Sequence, residues 1–286
     1  MPTRTERIPL PDTAIAATTR GEVAGGLPPV VLIHGGPGLW DYLGPVAEML
    51  APHTVVHSYH QRGCGASDPA AVQSFEQTIL DLEALRLHWG HERWMVAGHS
   101  FGAGVALGYA ARFPHRTAGV GYLSGVGIGD WRTPFRAELA RRRAPDVAAR
   151  IDQLAGLRDR NAKQEREFRV LQWFTDYADP EVGRVAAAEF AAAPYSINWT
   201  ANRRIVADLG GGGDDDVARA ARGLRVPTLG VHGAKDPRPH QNAQALVELA
   251  HDHQWVLLPE AGHLPWVEQP AMVREVLVQF LHELSS

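Results

Sequence analysis

The sequence predicts an α/β fold with a mainly parallel sheet flanked by helices, and three observations carry that expectation. Short apolar runs of strand character alternate with segments of helical spacing as far as residue 126. Such alternation builds βαβ units around a sheet buried on both faces. The alternation then breaks between about 130 and 208 and resumes at Leu224, which places a helical cap after the sixth strand. Finally, Trp94-Met95-Val96-Ala97 runs into Gly98-His99-Ser100-Phe101-Gly102 and then into the small-residue segment Ala103 to Ala111. A strand that turns sharply into a helix at G-x-S-x-G presents the serine hydroxyl at the turn.

Taken in order, residues 6–24 read as an opening pair of strands. Pro29-Val30-Val31-Leu32-Ile33 is a buried strand that ends in His34-Gly35-Gly36-Pro37-Gly38, and Val55 to Tyr59 is the next strand. Thr78 to Trp89 carries apolar residues at helical spacing, stopped by Gly90. Gly125-Val126-Gly127-Ile128-Gly129 lacks the full spacing of a dinucleotide-binding loop and reads as a hinge into the cap. From 130 to 208 the chain is rich in Ala and Arg with aromatic residues between them, and Arg141-Arg142-Arg143 reads as a solvated helix face. Gly210 to Asp216 reads as a flexible connection, since three consecutive aspartates rarely converge on one metal ion. The late strands are Val226 to Gly233 and Gln254 to Pro259. The expected division is a core of residues 1–127 and 209–286 with a cap of residues 128–208.

Composition narrows the function. A chain of 286 residues with 45% apolar content can bury a substantial core. A net charge of −4 and a pI near 6.4 argue against a nucleic-acid surface. The lone Cys64 excludes an internal disulfide and reads as a small buried thiol rather than a nucleophile. No apolar run approaches the roughly 20 residues that span a bilayer, so the expectation is a cytoplasmic protein with no membrane partner.

A serine hydroxyl attacks a carbonyl only with a base in reach and a group that orients the base. Asp236 stands at the end of one late strand and His263 in the loop after the other. The order Ser100, Asp236, His263 is that of α/β-hydrolases. Asp130 and Asp208 compete for the acid's role, but neither follows a clear late strand, and Asp236 has helix capping as its alternative role. Of 14 histidines, His263 combines a strand end with a position near the carboxyl terminus. The oxyanion donors are the amides of Gly36 and Phe101. His34, Trp173, Tyr195, Trp199 and Trp266 are candidates to touch substrate; the bland alternatives are a bond within its own loop for His34 and ordinary core for the aromatics. The reading needs no metal and no cofactor.

These segments, with Gln61-Arg62-Gly63-Cys64-Gly65-Ala66-Ser67, make the chain similar to α/β-hydrolases of the proline iminopeptidase group. That resemblance implies a serine hydrolase with a helical cap, no cofactor, and removal of an amino-terminal proline from peptides. In that family a cap glutamate holds the substrate's amino group, whereas the matching stretch here, Pro194 to Asn202, has no acid. Other cap acids, such as Glu181 or Glu189, could substitute. The first expectation is therefore an acyl-enzyme hydrolase that releases a small amino-terminal residue from a short peptide or amide. The alternatives are an ester or lactone hydrolase acting on a small apolar substrate, suggested by the neutral aromatic cap, and a noncatalytic ligand receptor.

Overall fold

Short continuous apolar runs become the inner strands of one sheet in a computed structural model that describes residues 2–23, 25–211 and 213–285. The strands are β1 (Thr3–Leu10), β2 (Thr13–Arg20), β3 (Val30–Ile33), β4 (Val56–Tyr59), β5 (Trp94–His99), β6 (Thr117–Leu123), β7 (Thr228–Gly233) and β8 (His253–Leu258). Among the described residues these eight form a sheet in the order β1-β2-β4-β3-β5-β6-β7-β8. β1 and β2 pair antiparallel, as do β2 and β4, and the other neighbours are parallel.

The helices are α1 (Gly44–Leu50), α2 (Phe75–His88), α3 (Phe101–Arg112), α4 (Arg132–Arg142), α5 (Pro145–Ala155), α6 (Ala162–Trp173), α7 (Pro180–Ala191), α8 (Trp199–Gly211), α9 (Asp214–Gly223), α10 (His240–Val247), α11 (Pro265–Glu268) and α12 (Pro270–Glu283). Two apolar layers sandwich the sheet. Val31, Ile33, Trp94 and Val96 face one layer, built with side chains of α2, α3, α9 and α10. Val30, Leu32, Met95 and Ala97 face the other, under α1 and α12. Alternate residues thus serve opposite faces, and each fully buried large side chain stabilises the fold by about 1.5–3 kcal/mol.

Helices α4 to α8 lie between β6 and β7 in the chain, where the helical insertion was expected. Local chemistry starts several of them. Asp130 accepts from the amides of Arg132 and Thr133, Asn161 and Gln164 form a capping box, and Asp179 caps α7 ahead of Pro180. Trp40, which follows the glycine-rich loop after β3, packs against Trp173, Phe190 and Tyr195 of this insertion, with Arg169 over its ring. One buried indole therefore seats the helices on the sheet.

Two expectations change. The Gly210 to Asp216 run, expected as a flexible connection, is mostly helical, although Gly212 lies outside the described residues. Gly210 and Gly211 end α8, and Asp214, Asp215 and Asp216 form the first turn of α9, where the helix dipole favours acids. Nor is Arg141-Arg142-Arg143 a solvated face. Arg141 is exposed, but Arg142 donates to the carbonyls of Thr175, Tyr177 and Lys235, and Arg143 reaches Gln172, because that turn leaves acceptors that need donors. Among the described residues, no helix is long and apolar enough to cross a membrane.

Candidate active site

Ser100 sits between β5 and α3 with φ +56° and ψ −117°, a conformation that L-residues rarely hold without surrounding constraint. The flanking glycines are part of that constraint. A Cβ at Gly98 would run into the Gly102 carbonyl, and one at Gly102 into the Ile33 carbonyl. The turn is tight enough that only glycine fits two residues to either side of the serine. This geometry is the strand-to-helix elbow anticipated from the motif.

His263 and Asp236, 27 residues apart, meet in the fold. The His263 Nδ1 lies 2.6 Å from Asp236 Oδ2, and both side chains are buried. Nδ1–H donates to the carboxylate, which leaves Nε2 as the acceptor nitrogen. The other carboxylate oxygen accepts from the Arg238 amide at 2.8 Å and from Arg238 Nη1 at 3.3 Å. Asp236 therefore caps its own turn as well as holding the histidine. Burial by itself would raise its carboxyl, but His263, Arg238 and His232 around it hold it well below the usual carboxylate range. The competing acids are both committed to helix starts, Asp130 at α4 and Asp208 at the Phe75 amide of α2.

The elbow is tied to the histidine loop through residues that motif reading passes over. His99 Nε2 donates to the His263 carbonyl at 2.8 Å, and its ring lies 4.6 Å from the His263 ring. Its Nδ1 therefore accepts from Tyr42 Oη at 2.6 Å, and Tyr42 in turn accepts from the Gly35 amide at 2.8 Å. One buried chain registers the glycine-rich loop, the elbow and the histidine loop. A Cβ at Gly35 would stand 2.9 Å from the Ser100 Cβ, so the loop bearing Gly36 passes directly against the serine. Phe101 is the first residue of α3, so its amide has no partner within the helix.

The candidate substrate contacts separate into groups. His34 is buried, its Nδ1 bonded to the Gly35 carbonyl and its Nε2 accepting from the Gln61 amide, and burial lowers it to about 4. Both nitrogens are spent on the loop. Trp173 and Tyr195 join the Trp40 cluster. Trp266 is 4% exposed and packs on His99 and Tyr42, in the core beneath the site. Trp199 is 45% exposed at the start of α8. Burial pushes the Cys64 thiol up to about 12, which suits a packing role.

The cap acids are also placed. Glu181 and Glu189 are exposed on α7. Glu165 pairs with Arg160 and Arg169, and Asp176 with Arg238. Glu268 accepts from the amides of Gly262, Ala178 and Asp179. A cavity of about 720 Å³ borders Asp236, Arg238 and His240, with Glu138 and Arg142 of α4 on its wall. Ser100 is not among its lining residues.

Residues 28–270 match a family model described as alpha/beta hydrolase fold. A proline iminopeptidase of Saccharolobus solfataricus is 26% identical over 271 residues, which covers 90% of this chain and 86% of that protein. Among solved structures, a proline iminopeptidase of Mycobacterium smegmatis superposes with a TM-score of 0.73 at 20% identity, 99% of each chain being covered. A thermophilic esterase of Thermogutta terrifontis gives 0.72 at 23% identity, over 99% of this chain and 100% of that one. At these identities the two superpositions speak to fold alone.

Proposed function

The chain belongs to the alpha/beta hydrolase family, and from that premise we propose that it is a serine hydrolase working through an acyl-enzyme, with Ser100 as nucleophile, His263 as base and Asp236 as the acid that orients it. The buried 2.6 Å pair of His263 and Asp236 carries this reading, because it sets the tautomer that a general base needs. His263 takes the Ser100 proton as the hydroxyl attacks the acyl carbon. The amides of Gly36 and Phe101 receive the oxyanion. His263 then protonates the leaving group and activates the water that releases the acyl chain. In the same reading, residues 128–208 form a cap over a core of residues 1–127 and 209–286.

Two acyl donors compete. The full-length relative named above favours release of a small amino-terminal residue from a peptide or amide. The placement of the acids favours the second, a small carboxylic ester or lactone. Glu181 and Glu189 face solvent, and Glu165, Asp176 and Glu268 are bonded to arginines or backbone amides. A cationic amine buried in the site would meet no carboxylate free to pair with it among these, since they face solvent or are committed to other donors. The geometry supports the neutral substrate better. We expect a simple alkyl ester or lactone to be turned over with at least about tenfold higher kcat/KM than L-proline p-nitroanilide, a difference of about 1.4 kcal/mol in activation free energy. Faster anilide hydrolysis returns the assignment to the aminopeptidase. Failure of a fluorophosphonate to label Ser100 in folded protein leaves the receptor.

A further inference from the structure

We infer that Asp176 and Arg238 are positioning residues of the same site, forming with Asp236 and His263 one partly buried chain of alternating charge through which the inserted helices set the strength of the base. The inference rests on the triad reading above. Arg238 Nη1 lies 2.8 Å from Asp176 Oδ1 and 3.3 Å from Asp236 Oδ1, so one guanidinium is shared between two carboxylates. Its plane also lies over the Phe135 ring of α4, 4.5 Å from the centroid. Asp176 belongs to the turn that follows α6, not to the sheet.

That turn reaches the site by two further bonds. The Asp176 carbonyl accepts from the His263 amide at 2.7 Å. On either side of it, the Thr175 and Tyr177 carbonyls accept from Arg142, which also donates to the carbonyl of Lys235, the residue before Asp236. The turn is therefore fastened to both the acid loop and the base loop. Any displacement of the inserted helices that carries the turn must change the charge felt by Asp236.

The sign follows from electrostatics. The carboxylate of Asp236 stabilises the imidazolium of His263, and the guanidinium opposes it, to a degree set by how far Asp176 draws that charge away. The imidazoles facing the pair are His99 from β5, His232 from β7 and His240 from α10, all held below the ordinary histidine range by burial; Tyr42 and Tyr177 face it as phenols pushed up by burial, Arg142 and Arg143 at the end of α4 stand beside the Asp176 turn with Arg142 paired to Glu138, and Glu268 of α11 anchors Gly262. Arg238 contributes the fixed positive charge in contact with the Asp236 carboxylate, whereas Arg142 bonds backbone carbonyls and is balanced by Glu138. A purely structural role would lower stability or rate and leave the pH profile in place.

The test is the pH dependence of kcat/KM for p-nitrophenyl acetate. Arg238→Gln moves the acid limb to higher pH by about one unit, and Asp176→Asn moves it to lower pH by a similar amount, because the first removes the opposing charge and the second leaves it unshared. Arg238→Lys keeps the charge and holds the limb near its original place. If Arg238→Gln does not fold, the near-isosteric Asp176→Asn decides alone. Limbs that stay put, or that move together, overturn the inference while Ser100-dependent hydrolysis continues. Hydrolysis that survives Ser100→Ala overturns the triad reading and this inference with it.

Discussion

At the scale of single residues, Asp236 and His99 have their polar atoms committed on both sides. Asp236 accepts from His263 with one oxygen and from Arg238 with the other, and His99 is bonded at both nitrogens. Asp236→Asn keeps the shape but offers an amide that cannot both accept from Nδ1–H and stabilise an imidazolium. We expect it to lower kcat by about 10⁴-fold, the loss typical of a serine triad whose acid is neutralised. Stopped-flow hydrolysis of p-nitrophenyl acetate measures it, with circular dichroism to check the fold; a loss under about tenfold would remove Asp236 from the machinery. The sequence pointed to Asp236 and His263 because each follows a late strand. It was silent on Tyr42, since a tyrosine in a loop has no pattern that announces a histidine 57 residues away.

At the scale of elements, the motif Gln61-Arg62-Gly63-Cys64-Gly65 turns out to be a brace. Gln61 donates through its side chain to the His34 carbonyl at 2.8 Å and through its amide to His34 Nε2 at 3.1 Å. Arg62 is buried, grips Asp81 of α2 with two bonds of 2.6 and 2.7 Å, and reaches Asp12 in the β1–β2 turn. The loop after β4 is thereby locked to the glycine-rich loop on one side and to α2 on the other. Arg62→Ala leaves the Asp81 carboxylate buried and unpaired and should cost about 3–5 kcal/mol. Arg62→Lys should recover little of it, because a point charge does not replace a fork. Urea unfolding with both variants checks this, and a loss below about 1 kcal/mol would reduce the brace to ordinary packing.

At the scale of the whole molecule, the buried histidines make stability depend on pH. Burial lowers His34 to about 4 and His57 to about 3, from an ordinary value of 6.5. Below that ordinary value the unfolded chain binds protons that the folded chain refuses. The unfolded state is therefore favoured as pH falls, and stability rises with pH across this window. His34 alone is worth at most about 3 kcal/mol between its two values. The depressed carboxyl of Asp236 acts in the same direction lower down: its contribution is complete above the unfolded value of 3.8 and is lost as pH falls below it. The urea midpoint should therefore drop clearly between about pH 7 and about pH 5, before ordinary carboxylates titrate. A flat midpoint over that range would mean that the buried imidazoles open to water without unfolding.

The sequence by itself determined the layered sheet, the elbow at Ser100 and the chain order Ser100, Asp236, His263 on which the proposed roles rest. These rest on local rules: alternating burial along strands, helical spacing, and the G-x-S-x-G spacing where a strand turns into a helix. Only the tertiary structure decided that Asp176 and Arg238, 62 residues apart, share a charge with Asp236, and that Trp40 spends itself seating the inserted helices. It also decided that Gly210, Gly211 and the three aspartates belong to helices. The reason is physical: backbone preference is written in near neighbours, whereas the pairing of buried polar groups depends on which distant loops the sheet brings together.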